Sequence, residues 1–123
     1  MLYSILCYDS EASVFDMSQQ EDDELMARLT GVTKHLEAEG RLGPRLRLMP
    51  TTSATTLRAG TEVTDGPFAE TKEALLGFYI LDCESQEEAL EIARNLARQK
   101  SSSASATYEI RPVRWIDPGN LAG

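Results

Sequence analysis

Seven consecutive residues, Leu75-Leu76-Gly77-Phe78-Tyr79-Ile80-Leu81, are apolar at both parities of a strand. Successive side chains on a strand point to opposite faces, so an antiparallel strand with one wet face alternates apolar and polar residues. This run does not alternate, so it predicts a central strand covered on both sides. Leu2, Ile5, Leu6 and Tyr8 give the opening segment the same two-sided character.

Two helices are marked by caps as well as by period. Ser18-Gln19-Gln20-Glu21 has the spacing of a capping box, and Asp22, Asp23 and Glu24 follow in the first turn, where the helix dipole favours negative charge. Leu25, Leu29, Val32 and Leu36 then fall on one helical face, which Gly40 can end. Ser85-Gln86-Glu87-Glu88 repeats the box, and Ala89, Ile92, Ala93 and Leu96 form the second stripe.

Strands are predicted at Leu2 to Tyr8, at Ala54 to Ala59 and Thr61 to Asp65 as a hairpin around Gly60, at Leu75 to Cys83, and at Thr107 to Trp115. Pro112 removes a ladder donor, so the last strand belongs at a sheet edge or has its proline at the sheet's end. The order β, α, β-hairpin, β, α, β predicts an α+β, ferredoxin-like βαββαβ fold with an extra hairpin and both helices on one face. Helices on one side leave the other face of a two-sided strand bare, so a homodimer formed sheet to sheet is expected.

With 123 residues the chain fits one domain, and 41% hydrophobic against 26% charged residues is the balance of a globular protein. A net charge of -8 repels a polyanion, so nucleic acid is not an expected partner. The first eight residues are too short an apolar run for a signal peptide or a membrane span. Cys7 and Cys83 lack CxxC spacing and read as small core side chains in a reducing cytoplasm. The Ser101-Ser102-Ser103-Ala104-Ser105 tract reads as a flexible loop.

His35 is the single histidine, on the flank of the first helical stripe, and is given no role; one histidine disfavours a histidine metal site. Gly40-Arg41-Leu42-Gly43 is too short for a phosphate loop, and no cofactor is expected. The chemically suggestive segment runs from Thr64 to Glu73. Asp65 can close an Asx-type bond, Gly66 can take positive φ and Pro67 fixes the next φ, so a tight turn projects Phe68. Asp65, Glu70, Lys72 and Glu73 then place carboxylates and an amine beside an aromatic ring, which is material for acid-base work.

Thr55-Thr56-Leu57-Arg58, the segment Val63 to Glu73 with its Asp65-Gly66-Pro67-Phe68, then Gly77-Phe78-Tyr79 and Glu109-Ile110-Arg111-Pro112-Val113 together resemble the DGPF branch of the YCII-related proteins, over nearly the whole chain. The resemblance implies one YCII-related domain over residues 1–123 and a ferredoxin-like subunit in a dimeric α+β barrel, akin to small enzymes such as muconolactone isomerase and to small-molecule-binding relatives. It also implies a histidine in the first helix and a later aspartate as an active-site pair. That histidine falls near Leu29 here, and the second helix ends in Arg98-Gln99-Lys100 without an Asp-Pro. Asp65 is thus the remaining candidate acid or base, with Phe68, Glu70, Lys72, Tyr79 and Arg111 as candidate ligand contacts.

Two functions follow as expectations. One is binding of a small polar or carboxylated metabolite near the DGPF loop, with an isomerase-like or lyase-like proton transfer at Asp65. The alternative is a non-catalytic sensor module, since DGPF proteins resemble partners encoded beside extracytoplasmic-function sigma factors.

Overall fold

The computed structural model describes residues 1–100 and 104–121. Its elements are β1 (Leu2–Asp9), α1 (Glu11–Phe15), α2 (Gln19–Ala38), β2 (Leu42–Arg47), a 3-10 turn (Thr51–Ser53), β3 (Thr55–Arg58), β4 (Glu62–Asp65), β5 (Ala74–Asp82), α3 (Gln86–Gln99) and β6 (Thr107–Pro112). Four strands form a sheet in the order β2-β5-β1-β6, with every neighbouring pair antiparallel. Without α1 and the β3-β4 hairpin, the chain runs β, α, β, β, α, β, and its third strand lies between the first two. That is consistent with the expected ferredoxin-like arrangement.

Besides the 3-10 turn, two elements went unpredicted. One is the short α1, and the other is β2, an edge strand carrying Gly43 and Pro44 with an irregular register between Leu42 and Arg45. The β3-β4 hairpin forms as expected but stands apart as a two-stranded sheet of its own. β6 occupies the other edge and stops at Pro112, not at Trp115. Within the serine tract, residues 101–103 lie outside the described residues. Ser105 is anchored, its hydroxyl donating to Asp9 Oδ1 at 2.7 Å.

The caps act almost as their spacing requires. Ser18 accepts from the Glu21 amide while the Glu21 carboxylate accepts from the Ser18 amide, closing the full box on α2. On α3 only half of the box forms. Ser85 accepts from the Glu88 amide, but the Glu88 carboxylate takes the amide of Glu84 and pairs with Arg41 instead.

Register separates the two faces of the sheet. Tyr3, Ile5 and Cys7 of β1 lie beside Leu81, Tyr79 and Gly77 of β5, and beside Pro112, Ile110 and Tyr108 of β6. This side meets the helices. Ile5, Leu36, Leu81 and Leu96 are fully buried in its core, each worth about 1.5–3 kcal/mol of transfer free energy. The opposite side carries Ser4, Leu6 and Tyr8 of β1 with Ile80 and Phe78 of β5 and Leu46 of β2. Among the described residues the buried core lies on the helix side alone, and on this side Leu46 and Leu75 remain 41% and 38% exposed.

Candidate functional site

The larger cleft lies on the helix side of the sheet and encloses about 660 Å³. Its apolar wall comes from Val14 and Phe15 of α1 and from Met17, Met26 and Leu29 on and before α2. Its floor is the sheet: Cys7, Tyr79 and Tyr108 from three neighbouring strands, with Gly77 among them. A Cβ on Gly77 would run into the Leu46 carbonyl oxygen, so the close approach of β2 requires glycine there.

β2 supplies the charge. Arg45 and Arg47 are two residues apart, so they share one strand face and both line the cleft. Arg47 donates twice to Asp22 of α2, Nη2 to Oδ1 at 2.7 Å and Nη1 to Oδ2 at 3.2 Å. Arg45 Nη1 donates to the Thr33 hydroxyl at 3.3 Å.

The floor groups are held protonated. Burial pushes the Cys7 thiol up to about 12, with Lys100 pulling weakly the other way. Burial pushes Tyr79 up to about 12 as well, Cys7 adds to the rise, and Arg45 and Arg47 oppose it. Tyr108 is raised too, chiefly by burial. At neutral pH the floor therefore offers a thiol and two phenols that donate and accept hydrogen bonds but do not act as ready bases or nucleophiles.

Asp9 closes the far end of the same β1 face. It is 1% exposed, accepts from the Ser10 amide and the Ser105 hydroxyl at 2.7 Å each, and pairs with Lys100 Nζ at 2.5 Å. A buried carboxylate persists when it is paired and hydrogen-bonded in this way.

The residues singled out from sequence are divided among three places. Tyr79 lies in the cleft just described. Glu70 and Lys72 line a separate hollow of about 410 Å³ beside the DGPF loop, together with Glu11, Thr51, Thr52 and Thr71. Arg111 is exposed on the far side of the sheet, opposite Ser4. Phe68 is 72% exposed, with the Arg58 guanidinium 5.0 Å over its ring. Gly66 takes the expected positive φ of 102°. The turn is nevertheless fixed by backbone: the Gly66 amide donates to Ala54 O at 2.7 Å and its carbonyl accepts from the Thr56 hydroxyl at 2.8 Å. Asp65 is exposed, and its carboxylate accepts no hydrogen bond among the described residues. His35 is exposed on α2. Cys83 is buried in the core, as expected, whereas Cys7 also reaches the cleft. Among the described residues no three His, Cys, Asp or Glu side chains gather as a metal site needs, and no helix is long and apolar enough to cross a membrane.

The YCII-related domain family matches residues 1–115. The chain belongs to that family. It is 50% identical to an uncharacterized protein of Rhizobium meliloti (strain 1021) over 124 residues, covering 98% of each chain. Among solved structures, the 5-chloro-2-hydroxyhydroquinone dehydrochlorinase of Burkholderia phenoliruptrix AC1100, in complex with 2,5-dihydroxybenzoquinone, is 23% identical with a TM-score of 0.48 over 94% of both chains.

In this YCII-related chain Leu29, where the resemblance puts the family's histidine, contributes hydrocarbon to the cleft wall. Asp22, Arg45 and Arg47 are the polar groups that sequence reasoning missed. A signal for the arginines was present, because Arg45-Leu46-Arg47-Leu48 alternates with the period of a half-buried strand.

Proposed function

We propose that this YCII-related protein binds a small amphipathic anion, an aromatic or alicyclic carboxylate, in the cleft between α2 and the sheet. The observation that carries the reading is a local reversal of charge. In a chain of net charge -8, Arg45 and Arg47 face one cleft in which, among the described residues, Asp22 is the single carboxylate. Hydrocarbon from Met17, Met26 and Leu29 would cover the ligand's body, and the Tyr79 and Tyr108 hydroxyls would orient its polar edge. Phenols and a thiol held in their neutral forms favour binding over proton transfer at this floor.

Calorimetric titration with benzoate, and with uncharged benzamide as control, tests the reading. Benzoate is expected to bind the native protein more tightly than benzamide, and Arg45→Gln to weaken benzoate by about tenfold, the worth of one charge-assisted hydrogen bond. Equal affinity for the two probes would remove the anion site.

Asp65 supports a second reading, an acid or base beside the loop hollow lined by Glu70 and Lys72, because its exposed carboxylate has no competing hydrogen bond among the described residues. The Asp65-Gly66-Pro67-Phe68 turn supports membership of the DGPF branch, and two free cysteines fit a reducing cytoplasm. Asp65→Asn keeps shape and removes charge. It should leave the stability within about 1 kcal/mol of native while weakening, by about tenfold, whatever ligand a mass-spectrometric screen of the purified protein recovers. Unchanged binding would favour a module that works without a titratable loop group, the sigma-factor-linked sensor included.

A further inference from the structure

We infer that Asp22 is an internal occupant of the cleft's anion site, holding Arg47 while the cleft is empty and giving it up to an incoming carboxylate. The inference rests on the reading of the cleft above and concerns how that cleft sets its affinity for the ligand.

The geometry sets the two arginines apart. A guanidinium presents its two terminal nitrogens as a fork that one carboxylate fills. On Arg47 both terminal nitrogens are already engaged, at 2.7 and 3.2 Å, by the two oxygens of Asp22. On Arg45, among the described residues, a single nitrogen is engaged, and by a neutral hydroxyl, so its remaining donors are open to a first contact. The Asp22 side chain is 23% exposed and that of Arg47 is 47% exposed, so the pair sits at the wetted rim, where exchange does not strand a buried charge.

Ligand entry on this scheme has two parts. The anion first meets Arg45, then replaces Asp22 on the Arg47 fork, and the Asp22 carboxylate turns to water. No bond is made or broken except hydrogen bonds, and the Arg47 fork holds one carboxylate before and after, while the complex carries the one extra negative charge of the ligand. The effect falls on affinity. A neutral amide neither displaces Asp22 nor gains much from a freed guanidinium, so the latch leaves uncharged analogues untouched and sets the affinity for charged ones below what two free arginines would give.

The test titrates benzoate and benzamide, at low salt, into the native protein, Arg45→Gln, Asp22→Asn, Asp22→Ser, Arg47→Gln and the double variant Asp22→Asn/Arg47→Gln, with thermal melting to identify folded variants. Two substitutions at Asp22 keep the comparison standing if one perturbs α2. The expected result is a gain of about threefold to tenfold in benzoate affinity on neutralising Asp22. Benzamide should be unchanged, and the gain should vanish in the Arg47→Gln background. Benzoate affinity that is unchanged or lower in both Asp22 variants, while Arg45→Gln still weakens it, overturns the latch and leaves the binding cleft in place. An equal gain for benzamide also overturns it, since the cleft would merely have loosened. Failure of benzoate to bind any variant overturns the cleft reading and the latch together.

Discussion

Asp9 and Lys100 form the pair whose disruption should be felt most strongly. Asp9→Asn preserves shape and both acceptor bonds at Oδ1, but leaves the Lys100 ammonium, 15% exposed, without its counter-charge. Breaking a buried pair from one side costs about 3 kcal/mol or more, so the melting temperature should fall by roughly 10 °C. A loss under about 1 kcal/mol would show that the pair is better solvated than its burial implies. Cys7 and Tyr79 make a prediction about alkaline pH. Their ordinary values are 9.0 and 10.0, and burial raises both to about 12 in the folded chain. Above pH 9 the unfolded chain releases these protons while the folded chain keeps them, so stability falls as pH rises from about 9 to about 12 and is insensitive to them below that window. Each group contributes a slope of at most about 1.4 kcal/mol per pH unit. Alkaline unfolding of a Cys7→Ala/Tyr79→Phe variant should therefore show a shallower pH dependence than the native protein. Tyr79 was a candidate ligand contact from sequence, but Cys7 looked like ordinary core, and only the pairing of β1 with β5 and β6 brings it beside Tyr79 and Tyr108.

Elements were readable where local chemistry sufficed. Ser18 and Ser85 each accept the amide three residues on, as their spacing predicted, and Ser18→Ala or Ser85→Ala should cost about 1 kcal/mol in chemical denaturation. The half-formed box on α3 shows the limit of such reading. Glu88 was expected to close locally, but Arg41, 47 positions earlier in sequence, pairs with it. β2 was missed for a related reason. Gly43 and Pro44 are poor strand formers, and at an edge the missing proline donor faces no partner, so tertiary pairing with β5 overrides local preference. With β2 went Arg45 and Arg47, and with them the cleft's charge. Gly77→Ala probes that edge directly. Its methyl group meets the Leu46 carbonyl, and separating β2 from β5 should cost about 1–3 kcal/mol. The same substitution should weaken benzoate binding, because Arg45 and Arg47 ride on the displaced strand.

At the scale of the molecule, the two-sided strand was the most informative feature of the sequence, and register divides its faces. Tyr79 and Leu81 meet the helices, while Phe78 and Ile80 lie on the bare side with Leu6 and Leu46. Self-association through that bare side remains the proposal it supports, at twice 13.6 kDa in solution. Ile80→Glu should yield a folded monomer by light scattering, whereas Leu81→Glu, aimed at a residue of 0% exposure, should abolish folding. A native monomer at micromolar concentration would sink the idea. The helix-side cleft and the bare apolar side lie on opposite surfaces of one sheet. Two copies joined back to back would turn their cleft mouths toward opposite hemispheres of solvent, with two sheet layers between them. Each mouth would then fill without news of the other, so saturation should trace a plain hyperbola with a Hill coefficient of about one.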